Sequence, residues 1–145
     1  MEYRKQEGKF TRHVMNKLKI LIVDDNAPFR QILRESLQTS FPTIAINEVA
    51  DGAEVLQKVD AFLPDLIFMN IQLPGEDGLQ LTKKIKAIYP NMIIFILTQH
   101  DTPEYRKAAF QCGANGFFVK TSFSWIRLGA LVKSFCKIEE SGNRA

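Results

Sequence analysis

Two adjacent aspartates, Asp24 and Asp25, close the first apolar run of the chain, and single polar residues close three later ones: Asn70, Thr98 and Lys120. Adjacent carboxylates repel unless a cation joins them, and hard divalent cations prefer oxygen ligands of this kind. A lysine ammonium and a threonine hydroxyl brought beside them would hold the oxygens of a phosphoryl group. The combination points to a Mg²⁺-plus-phosphoryl site. Each residue alone has a plainer explanation. Asp25 or Asn26 could cap the helix that follows, Thr98 could simply end a strand, and Lys120 could be solvated. Their joint placement on one edge is what carries the reading, so the elements that would put them there matter most.

Two periodicities alternate from Leu18 onward. Leu18–Val23, Ile44–Val49, Asp65–Asn70, Met92–Leu97 and Gly116–Val119 are short apolar or β-branched runs of strand length. Between them lie helical spacings: Phe29, Ile32, Leu33 and Leu37 behind Pro28; a helix capped by Asp51 and running to about Phe62; Leu81, Ile85 and Ile88 up to Pro90; and Tyr105, Ala108, Ala109 and Cys112 closed by Gly113. Leu73-Pro74-Gly75-Glu76-Asp77-Gly78 has the composition of a turn. A last helix is predicted from about Ser122 to Ile138. Two apolar stripes divide it. Phe123, Leu131, Phe135 and Ile138 are assigned to the sheet. Trp125, Leu128 and Val132 are left for a docking or dimer surface, or for packing on the first or fourth helix.

Strands alternating with helices imply an α/β fold, a five-stranded parallel sheet covered on both faces. With right-handed crossovers the simplest topology is doubly wound, flavodoxin-like, with strand order 2-1-3-4-5. Ligands of such sheets bind beyond the carboxyl ends of the strands, where the order reverses between the first and third. That is the edge to which Asp24, Asp25 and Asn70 belong.

The chain has 145 residues, the length of one domain. Residues 18–138 are expected to form it, 1–17 a basic arm and 139–145 a frayed tail. The net charge of +3 is confined to the arm, where Arg4, Lys5, Lys9, Arg12 and Lys17 face Glu2 and Glu7; the remaining 14 basic and 14 acidic residues balance. A basic nucleic-acid face on the domain is therefore not expected. Neither a secretory hydrophobic segment nor a membrane-length apolar run is present, so the expected setting is the cytoplasm. Cys112 and Cys136 have neither CxxC nor metal-ligand spacing and are expected as reduced thiols. No GxGxxG or GxxxxGK[ST] pattern is found.

Five motifs, in order and suitably spaced, resemble the receiver domain of two-component response regulators: Ile22-Val23-Asp24-Asp25, Pro64–Met69, Leu73–Leu79, Leu97-Thr98 and Gly113–Lys120. The last two are similar to receivers that carry LuxR-type outputs. The resemblance covers about residues 18–138. It implies that Asp24 and Asp25 hold Mg²⁺ together with the Gln72 backbone carbonyl, and that Asn70 stands at the phosphoacceptor position. It implies that Thr98 and Lys120 contact the phosphoryl group, Lys120 pairing also with the acceptor, and that Phe117 is the aromatic whose rotamer follows Thr98. It implies as partners a sensor histidine kinase or phosphotransfer protein, and an output protein or second copy at the face of the fourth helix, fifth strand and fifth helix.

Two positions depart from the family pattern. Thr121 stands where proline often follows the lysine, so a trans bond is expected there, since a non-proline cis bond costs about 3 kcal/mol. Asn70 has a neutral amide where the family has a carboxylate. It removes the nucleophile and one metal charge, so Mg²⁺ binding should be weak. Three explanations stand: a receiver that signals without phosphate as a protein-interaction module, an otherwise ordinary receiver with a recent or engineered substitution, or an error in the sequence at this position. The intact Asp24, Asp25, Thr98 and Lys120 favour the second. A phosphatase-like enzyme is disfavoured, because the second aspartate needed two residues after the first is Asn26. The expectation is a signalling domain, not an enzyme.

Overall fold

The computed structural model describes residues 18–136. The expectations for residues 1–17, 137–138 and 139–145 lie outside that range. Five strands, β1 (Lys19–Val23), β2 (Ala45–Val49), β3 (Leu66–Met69), β4 (Ile93–Thr98) and β5 (Gly116–Val119), alternate with α1 (Ala27–Ser40), α2 (Val55–Phe62), α3 (Gly78–Ile88), α4 (Pro103–Gln111) and α5 (Trp125–Cys136). The sheet is wholly parallel, with order β2-β1-β3-β4-β5 as expected. Every residue of β3, the central strand, is buried, as both-face coverage requires.

Strand alternation splits the core in two. Leu21, Val23, Ile67, Met69, Ile94 and Ile96 pack with Val55 and Val59 of α2, Leu81 and Ile85 of α3 and Ala109 of α4. Ile20, Ile22, Leu66, Phe68, Phe95 and Leu97 pack with Leu33 and Leu37 of α1 and Leu128 and Val132 of α5. Helices therefore cover both faces, three on one and two on the other.

The helix starts follow cap chemistry. Asn26, Asp77 and Thr102 accept backbone N–H groups of the first turns of α1, α3 and α4. Of the two candidate caps for α1, Asn26 is the one used, which frees Asp25 for the rim. Asp51 caps a single 3-10 turn, Gly52–Glu54, and α2 begins only after it.

Several expectations need correction. Ile88, the last residue of α3, is 60% exposed, and Phe135, assigned to the sheet, is 39% exposed although its ring meets Phe95 edge-on. Ile32 is 51% exposed, because α1 buries the i, i+4, i+8 row Phe29, Leu33, Leu37 and Ile32 falls outside it. The last helix starts at Trp125 rather than Ser122: the amides of Ser122 and Phe123 both bond back to the Val119 carbonyl, and the Ser124 hydroxyl then accepts the Arg127 amide. Leu128 and Val132 are core, not surface, being 1% and 0% exposed. Packing beside α1 buries them, so the second of the two alternatives holds and only Trp125 of that stripe reaches solvent.

Candidate functional site

The register builds the rim. Val23 pairs with Met69, and the Asn70 amide N–H donates to the Val23 carbonyl at 2.9 Å. Asp24 and Asn70, each one residue past its strand, are thereby set side by side. Thr98 pairs with Val119, and the Lys120 N–H donates to the Thr98 carbonyl at 2.7 Å, which puts Lys120 on the same edge.

Asn70 is held rigidly from below. Gly78 opens α3 directly under it, and a Cβ at Gly78 would lie 2.0 Å from the Asn70 carbonyl oxygen. Only glycine permits that approach. Gly75, at φ +86, turns the loop between β3 and α3 back against Asp51, and Gly52 ties that loop to its neighbour by donating to the Pro74 carbonyl at 2.8 Å.

Side chains converge at the centre. The Asn70 Nδ2 donates to the Gln72 carbonyl at 2.9 Å and lies 3.4 Å from one carboxylate oxygen of Asp24 and 3.4 Å from one of Asp25. The acceptors dictate this amide orientation, since the opposite one would set Oδ1 against three oxygens. Asp24 is 3% exposed and its oxygens are fully engaged. Oδ1 also accepts the Asn26 amide at 3.0 Å, and Oδ2 accepts the Lys120 ammonium at 2.6 Å. The Phe29 ring lies 4.4 Å from the same ammonium, a cation–π contact that covers it. The Arg30 guanidinium donates to the Asp24 carbonyl at 2.6 Å and joins Arg34 on Glu48 of β2. Burial by itself would raise the Glu48 carboxyl, but the two guanidiniums outweigh it and hold the group below the usual glutamate range.

Asp24, Asp25, Asn70, the Gln72 carbonyl and Lys120 are thus together. Lys120 does not pair with position 70 as the resemblance implied. A neutral amide offers its ammonium no charge, and Asp24 does. Thr98 shares the rim through its backbone and is 1% exposed, but its hydroxyl oxygen accepts the His100 amide at 3.1 Å. Phe117 is buried among Ile94, Ile96 and Val119, with the Arg106 guanidinium 4.7 Å over its ring. The Lys120–Thr121 bond is trans, as expected. Phe29 and Arg30 were missed at the sequence level: an aromatic and a basic residue in the first turn of a helix carry no signal until the helix is placed over the rim.

Two carboxylates and a carbonyl suit a hard divalent cation in kind. Among the described residues, no group of three or more His, Cys, Asp or Glu side chains is arranged to hold a metal. Among them also, no helix is long and apolar enough to cross a membrane.

Comparison with known proteins agrees with this geometry. The family model described as the response regulator receiver domain matches residues 20–132. The oxygen regulatory protein NreC of Staphylococcus carnosus is 36% identical over 106 residues, which are 72% of this chain and 49% of that protein. The transcriptional regulatory protein DegU of Brevibacillus brevis is 30% identical over 107 residues, 72% of this chain and 44% of that one. This chain thus spans about half the length of the curated relatives it matches. A solved LuxR-family two-component response regulator from Aurantimonas sp. superposes with a TM-score of 0.75 at 27% identity, over 84% of this chain and 86% of that one.

Proposed function

The chain belongs to the response regulator receiver domain family of two-component systems, and we propose that it is a receiver that forms no acyl phosphate. The observation that carries this is Asn70 at the centre of the rim, with its amide turned toward Asp24, Asp25 and the Gln72 carbonyl. An amide oxygen is a poor nucleophile toward phosphorus. Of the two groups that would receive phosphoryl oxygens, Lys120 is also occupied, by Asp24 and Phe29.

When bound, Mg²⁺ would neutralise the acidic pair. Asp24, Asp25, the Gln72 carbonyl and the Asn70 side-chain oxygen would hold it, weakly, because only two ligands are charged and the amide must first turn over. The domain catalyses no reaction of its own in this reading.

Receiver domains of response regulators work with kinases and output domains. For this chain we assign a sensor histidine kinase or phosphotransfer protein as the upstream partner, in the cytoplasm. Downstream it meets an output protein or a second copy at the face of α4, β5 and α5. With Leu128 and Val132 in the core, α5 contributes Trp125 and Ile126 to any such contact; they are 39% and 85% exposed.

The test is incubation with acetyl phosphate and Mg²⁺ followed by intact mass. The unaltered protein should gain nothing, and Asn70→Asp should gain one base-labile phosphoryl group. A phosphoryl adduct on an aspartate of the unaltered protein would overturn the reading.

A further inference from the structure

We propose that the Asn70 carboxamide replaces the divalent cation of this site, so that the pocket holds its own acidic pair together without metal. This rests on the receiver reading of the pocket, but its test does not depend on phosphorylation.

Three oxygens from two loops point at one nitrogen: one each from Asp24 and Asp25, which follow β1, and the Gln72 carbonyl from the loop after β3. A cation joining the acidic pair to that loop would draw on the same oxygens. Nδ2 has two hydrogens. One is committed to Gln72 at 2.9 Å, and the other is shared between two carboxylate oxygens at 3.4 Å. The two long contacts are electrostatic more than directional, which is how a positive centre acts among anions.

The buried charge is compensated without a metal. Asp24 is nearly fully buried and needs compensation, which it receives from Lys120 on one oxygen and from the Asn26 amide and Asn70 on the other. Asp25 is solvated on its far side. The carboxamide is itself fixed, since the Asn70 backbone is bonded to Val23 and seated on Gly78. A metal entering here must break the Gln72 bond and invert the amide, so metal and amide compete for the same lone pairs. With a carboxylate at position 70 the balance reverses: three anions would face one another and a cation would be needed to join them.

The experiment is thermal unfolding of the parent, Asn70→Asp and Asn70→Ala, each in EDTA and across millimolar MgCl₂. The parent midpoint should be the same in both media. Asn70→Asp should melt lower in EDTA and rise by roughly 5 °C or more as Mg²⁺ saturates it. Asn70→Ala should melt below the parent in EDTA and recover part of the loss with Mg²⁺. In parallel, the Asn70 side-chain NH₂ resonances of the parent should stay in place across the Mg²⁺ range that saturates Asn70→Asp and move only at far higher concentration, a readout that stands even if Asn70→Ala fails to fold. The proposal is overturned if the parent gains as much from Mg²⁺ as Asn70→Asp, if Asn70→Ala in EDTA is as stable as the parent, or if the NH₂ resonances shift and saturate over the same Mg²⁺ range that stabilises Asn70→Asp. A phosphoryl adduct on the parent would instead sink the preceding reading and leave these outcomes unchanged.

Discussion

The Lys120 ammonium and the Asp24 carboxylate meet at 2.6 Å with their side chains 7% and 4% exposed, an ion pair almost wholly withdrawn from water. Removing one member of such a pair strands the other, and that penalty is larger than the net value of the pair. Lys120→Met keeps the length and apolar stem of the side chain while deleting the charge. It should lower unfolding stability by about 3 kcal/mol in urea titration. A change within experimental error would mean that the Asn26 and Asn70 donors suffice for Asp24.

Gly78 bears on the same centre from beneath. Gly78→Ala forces the start of α3 away from the Asn70 carbonyl, because backbone, not a flexible side chain, occupies the space of the new methyl. A loss of about 2 kcal/mol or more is expected, although alanine is otherwise the better helix residue by about 1 kcal/mol. A more stable Gly78→Ala variant by chemical denaturation would contradict the close approach.

How much of this was legible beforehand divides along physical lines. Strand runs, their polar ends and the sheet order follow from periodicity and from the handedness of crossovers, which are backbone properties. Once Val23 must pair with Met69, Asp24 and Asn70 must be neighbours. Side-chain partners are different. Whether Lys120 turns to position 70 or to Asp24 depends on which is charged, and whether Phe29 covers it depends on the pitch of α1. The assignment of faces on α5 failed because a helix with apolar residues around most of its girth has no unique inward side until its neighbour is known. Contact with α1 selects Leu128 and Val132.

That correction gives a direct comparison. Leu128→Ala removes a fully buried side chain and should cost about 2–5 kcal/mol. Trp125→Ala, at a ring 39% exposed that rests on Phe123 at 4.6 Å, should cost under about 1 kcal/mol. Equal losses in thermal and urea unfolding would argue against the burial described for α5.

Glu48 sets an acid limb to stability. Its carboxyl is held below the ordinary range in the folded state, so its contribution is fully present above the unfolded glutamate value of about 4.3 and is lost as pH falls through the lower folded value. Stability of the parent should therefore fall across that acidic window, and Glu48→Gln should flatten this part of the curve. Stability–pH profiles by urea titration from pH 6 to pH 3 would show it. Superimposable slopes for the two proteins would remove Glu48 from the account.

Among the described residues the open sheet ends in two border strands, β2 and β5, and these bear on how the protein behaves at high concentration. A border strand exposes unpaired amides and carbonyls to any passing chain. Here both are brief: β5 has four residues and β2 five, and β2 carries Asn47 and the Glu48 that Arg30 and Arg34 grip from α1. A strand arriving at β2 would have to lie beside this cluster of charges. The arginine–glutamate cluster that braces the acidic rim thus also sets a charged, brief border at β2, which disfavours intermolecular strand pairing there.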